Sequence, residues 1–70
     1  MNTLRDRIIH HIDDMPLPAR RIAAGLEVDE MSVRRELRRM NEALIVRPTN
    51  RGWQLRTTYL LATRTKETTP

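Results

Sequence analysis

Residues 19–40 read ARRIAAGLEVDEMSVRRELRRM. Ile22, Ala23 and Leu26 recur at helical spacing, and so do Val33, Leu37 and Met40. Between the two runs lies a break, Leu26-Glu27-Val28, with Asp29 positioned to cap the second run. The pattern predicts two short helices, over 18–25 and 30–41, joined by a tight turn. Small side chains at Ala23 and Ala24 let the helices approach, and Val33 and Leu37 pin the second from beneath. At about 100° per residue, Met31, Arg35 and Arg38 lie opposite this apolar stripe, flanked by Ser32, Arg34, Arg39 and Asn41. The second helix is a rod with one oily side and one arginine-bearing side.

Working outward, Asn2 or Thr3 can cap a first helix, with Asp6 near its positive end. Leu4, Ile8, Ile12 and Met15, widened by Ile9, form an apolar stripe that makes this helix the back wall of the core. Met15-Pro16-Leu17-Pro18 is a stop followed by a start. Pro16 disfavours helical geometry at Met15, Pro18 suits a first helical turn, and Leu17 is expected to be buried at the corner. On the other side, Leu44-Ile45-Val46-Arg47 and Trp53-Gln54-Leu55-Arg56 flank the turn chemistry of residues 48–52, which predicts a β-hairpin. Trp53 and Leu55 should face the core, with Arg47, Arg51 and Arg56 available outside. One tryptophan makes no stacking platform, so Trp53 is read as a core anchor.

Charge is distributed unevenly. Residues 1–33 carry four arginines against six carboxylates, a net of −2, whereas residues 34–66 carry nine cations against two carboxylates, a net of +7. Twelve of the thirteen cations are arginine, whose planar fork matches phosphates and guanine edges, so a polyanion is the indicated partner. Other classes have little to stand on. Cysteine is absent, which removes disulfides and thiolate metal sites. His10 and His11 are adjacent and point about 100° apart on a helix, so they cannot share a metal, and no cofactor is expected. Ser32 is the lone serine, there is no glycine-rich phosphate loop, and no paired carboxylates sit in an apolar cleft, so no enzyme and no small-molecule substrate are expected. No apolar run approaches the ~20 residues of a membrane span. A cytoplasmic protein is the expectation.

The run IAAGLEVDEMSVRRELRRM followed by EALIVR resembles the winged helix-turn-helix superfamily of bacterial and phage DNA-binding proteins, over roughly residues 4–56. In layout it is similar to small single-domain regulators and to the N-terminal domains of larger repressors. Family members often carry glycine in place of Ala43, and glycine rather than glutamate at the turn position held by Glu27. Either Glu27 accepts a left-handed backbone or the turn is built differently. The resemblance implies a mainly α fold with a small β-hairpin, a three-helix core plus wing, and transcriptional regulation through double-stranded DNA. It makes Met31 to Arg39 the recognition helix and Asn50 to Gly52 the wing tip.

Within that layout, Met31, Ser32, Arg34 and Arg35, near the N-terminus of the recognition helix, are the base-reading candidates. Arg20, Arg21, Arg38, Arg39, Arg47 and Arg51 are candidates for phosphates and the flanking minor groove. The domain is expected to span residues 1–62. Residues 57–62 (TTYLLA) are too apolar to stay exposed in a monomer and could form a third strand, or a short helix that pairs two copies through Tyr59, Leu60 and Leu61. Residues 63–70 are polar and threonine-rich, expected as a disordered tail with Arg64 and Lys66 adding nonspecific affinity. The competing expectation is a protein-interaction module that docks its arginine face on an acidic partner. RNA ranks below both, for want of stacking aromatics.

Overall fold

Helix α1 (Leu4–His11) begins with a reciprocal capping box: the Thr3 hydroxyl accepts from the Asp6 N–H at 3.1 Å, and the Thr3 N–H donates to Asp6 Oδ2 at 3.4 Å. The computed structural model describes residues 3–13 and 15–68, so the alternative cap Asn2 and the carboxylate Asp14 lie outside the described residues. Ile8 and Ile12 are buried, but α1 ends at His11 and Met15 is 58% exposed. The expected inward stripe therefore stops at Ile12. Pro16 bars Met15 from helical geometry, so that side chain leaves the stripe.

Helix α2 (Ala19–Leu26) follows Pro18, which serves as its N-cap without a side-chain bond. It buries Ala19, Ile22 and Ala23 against helix α3 (Glu30–Glu42), and α1 lies against both. The turn settles the question raised by Glu27. Glu27 is left-handed (φ 57°, ψ 45°), its N–H donates to Ala24 O at 3.3 Å, and the Val28 N–H donates to Ala23 O at 3.0 Å. This is the Schellman pattern, with Glu27 where glycine is usual. Asp29 then caps α3, its Oδ2 accepting from the Ser32 N–H at 3.0 Å.

Helix α3 ends in the same way. Ile45 N–H donates to Met40 O at 2.9 Å and Leu44 N–H to Asn41 O at 3.1 Å, with Leu44 left-handed at φ 62°. The left-handed position thus falls one residue after Ala43, on a leucine that is 62% exposed. Because Leu44 and Ile45 complete this cap, strand β1 starts later than expected and runs Val46–Thr49, pairing with β2 (Gly52–Leu55). Pro48, expected in the turn, sits in the strand opposite Trp53. Trp53 uses its backbone on the other side, donating to Leu17 O at 2.7 Å and accepting from the Leu17 N–H at 3.1 Å. The Pro48–Trp53 pair needs no hydrogen bond between its members, so an edge-strand proline is tolerated there.

Residues 57–62 form no strand. They open helix α4 (Thr57–Thr68), with the Leu60 N–H bonded to Arg56 O, and the third-strand position is filled instead by Leu17. Helical backbone therefore continues into the segment whose composition suggested a tail. Tyr59 and Leu60 are half-buried against the core. That core consists of Ile8, Ile12, Ala19, Ile22, Ala23, Val33, Leu37, Met40, Val46 and Leu55, and no buried polar side chain is found among the described residues. The chain is mainly helical with one two-stranded antiparallel hairpin. No helix among the described residues is long and apolar enough to cross a membrane.

Candidate nucleic-acid interface

The exposed side of α3 follows from its buried side. Val33, Leu37 and Met40 have no accessible surface, while Met31, Ser32, Arg34, Arg35, Arg38 and Arg39 are all exposed. Two contacts orient the flanks. Glu36 pairs with Arg5 of α1 at 2.6 Å, and Asn41 Oδ1 accepts from Arg56 Nη2 of the hairpin at 2.9 Å. One flank of α3 therefore faces α1 and the other faces the hairpin, with Met31, Arg35 and Arg38 directed to solvent between them.

The four arginines of α3 are not equivalent. Arg34 is ion-paired to Glu30 one turn earlier, through Nη2 at 2.6 Å and Nε at 2.9 Å. Arg39 reaches Glu36 Oε1 only at 3.9 Å, while Arg5 holds the other oxygen, Oε2, at 2.6 Å. Arg35 and Arg38 meet no acidic partner among the described residues. Surface pairs of this kind contribute about 1 kcal/mol at most, too little to withhold a guanidinium from a polyanion. Ser32 is less free than expected, because its Oγ as well as its N–H lies against the capping Asp29 carboxylate, the hydroxyl at 3.4 Å.

Arg34 and Arg38 share a groove of about 310 Å³ with the hairpin residues Pro48 and Trp53 and with Pro18 and Ala19 at the start of α2. The structure thus unites the basic side of α3, the N-terminus of α2 and the hairpin. Arg20 and Arg21 are exposed in the first turn of α2, one and two residues after the groove-lining Ala19. The hairpin arginines lie elsewhere. Strand alternation puts Val46 and Leu55 inward, so Arg47 and its cross-strand partner Gln54 face the opposite side from Trp53. Arg51, at the hairpin tip, lines a different groove with Asp13, Met15 and Leu60. Trp53 is half-buried against the core, with part of its surface open to the groove.

Arg56 belongs to the scaffold. Its Nε donates to Val46 O at 2.8 Å and its Nη2 to Asn41 Oδ1, part-buried between α3 and β1, so the expectation of an outward-facing Arg56 is corrected. The partners are ten and fifteen residues away, and no local pattern announces them. Two other structural arginines escaped the sequence reading for the same reason: Arg5, paired with Glu36, and Arg7, whose Nη2 donates to Leu26 O at 2.9 Å. The Glu30–Arg34 pair, by contrast, has the i,i+4 spacing that a sequence displays. Comparison with protein-family models, with curated proteins and with solved structures found no match.

Proposed function

We propose that this chain is a winged helix-turn-helix protein that binds double-stranded DNA and regulates transcription. In this reading α3 enters the major groove, and the hairpin lies as a wing on the flanking minor groove or phosphates. The observation that carries it is a pair of guanidiniums, Arg35 and Arg38, without an acidic partner among the described residues. They stand on the side of α3 opposite the fully buried Val33, Leu37 and Met40. Met31, 58% exposed at the N-terminal end of the same helix, supplies an apolar contact of the kind a thymine methyl accepts. The first turn of α2, with Arg20 and Arg21, and the groove holding Arg38 suit phosphates of the strand that would pass between α3 and the hairpin.

The test is a titration of labelled random duplex at several salt concentrations. Affinity is expected to fall with a log–log slope of about −0.9 per phosphate contacted. Sequences recovered by selection from random duplex should then show a preference that Arg35→Ala relaxes at one base pair by about 1–3 kcal/mol, while Arg51→Ala weakens all sequences alike. No shift with duplex at low ionic strength would end the proposal. A second reading is favoured by Met31, an apolar side chain 58% exposed beside the arginines, which suits a protein surface better than a phosphate. There the arginine face docks on an acidic partner, and binding to that partner with none to duplex would select it.

A further inference from the structure

We infer that Glu30 is a positioning residue that aims Arg34 at a base edge, and so sets the preference at one base pair. The inference rests on the DNA reading above. One carboxylate oxygen, Glu30 Oε2, accepts from both Nε and Nη2 of Arg34, at 2.9 and 2.6 Å. Those two nitrogens form the side edge of the guanidinium. The end edge, Nη1 with the outward N–H of Nη2, keeps two parallel donors, the fork that guanine O6 and N7 accept. Glu30 precedes Arg34 by one helical turn, the favourable order for such a pair, and as the first residue of α3 it gains from the positive helix end. Its carboxylate also repels phosphate at this spot, which leaves Arg34 better matched to a base than to the backbone. Arg38, one turn further along the same groove with no such partner among the described residues, takes the phosphate role.

The test compares the wild-type protein with Arg34→Ala, Glu30→Ala and Glu30→Gln, reading both random-duplex affinity and the base preference at every position of the selected site. Arg34→Ala identifies the base pair concerned. Glu30→Ala is expected to flatten preference at that same base pair by about two- to tenfold, while raising random-duplex affinity about twofold because an anion is gone. Glu30→Gln keeps an acceptor oxygen for Arg34, so it should retain the preference and show the same rise in random-duplex affinity. Unchanged preference in Glu30→Ala, or a loosening spread evenly over all positions, overturns the positioning role while the DNA reading stands. Absence of duplex binding by the wild-type chain overturns both. Helicity and melting temperature check the fold: at this half-buried position helicity is expected to stay at the wild-type value, and the melting temperature to fall by a few degrees at most as the ion pair and the helix-end charge are lost.

Discussion

Glu27 and Leu44 hold left-handed backbone at φ 57° and 62°, and each closes a helix with a Schellman cap. A side chain there costs about 1–2 kcal/mol, which the two backbone bonds of the cap and the packing of Val28 and Ile45 against the core offset. Leu44 is 62% exposed, so little burial is lost on its removal. Leu44→Gly should stabilise the chain by up to about 1 kcal/mol, once the extra freedom of the unfolded glycine is subtracted. Urea unfolding reads this as a higher midpoint at constant slope. Gly52 is the opposite case. Its φ is 126°, and a Cβ there would stand 2.2 Å from the Leu17 carbonyl carbon and 2.4 Å from Pro18 N. Neither is a flexible side chain, so Gly52→Ala should cost about 3 kcal/mol or more. At about 4–8 °C per kcal/mol for a chain of this size, the melting temperature should fall by more than ~12 °C.

The elements are oriented by a few side chains that reach across them. Arg56 clamps the C-terminal turn of α3 to β1 through Asn41 and Val46, and its backbone N–H donates to Ile45 O at 2.9 Å. The angle between α3 and the hairpin depends on this fork. Arg56→Ala leaves a half-buried carbonyl and a half-buried amide without their donor, at a cost of about 1–3 kcal/mol in thermal or urea unfolding. Arg56→Lys should recover little of it, because a single ammonium on a flexible stem does not reproduce two donors in a fixed plane. If the DNA reading holds, the same variants should also blunt the wing contribution to affinity more than the preference carried by the N-terminal residues of α3.

At the scale of the whole molecule, seventy residues bury only about 60% of their unfolded surface, so each apolar side chain recruited to the core matters. Helix α4 contributes Tyr59 and Leu60, both half-buried against that core, and leaves Leu61 58% exposed. Pairing of two copies through Tyr59, Leu60 and Leu61 is a further proposal, now with less apolar surface to draw on than the sequence alone suggested. Light scattering at micromolar concentration tests it. A mass twice 8.3 kDa supports a dimer, and 8.3 kDa returns the chain as a monomer.

Local periodicity by itself determined the three N-terminal helices, the inward set of Val33, Leu37 and Met40, and the existence of the hairpin, because burial on one face imposes a spacing that reads directly from neighbouring residues. The two alternatives for Glu27, a left-handed backbone or a different turn, come from the family resemblance and not from periodicity, and the backbone takes the first, at φ 57°. Only the tertiary structure decided which arginines are engaged and which are open. Arg5, Arg7 and Arg56 find partners thirty-one, nineteen and fifteen residues away, and Leu17 becomes the strand neighbour of Trp53 across the intervening helices. A guanidinium looks the same in sequence whether it faces a carbonyl or solvent. Its role is set by what the folded chain brings within about 3 Å of it, and that distance is a property of packing, not of spacing.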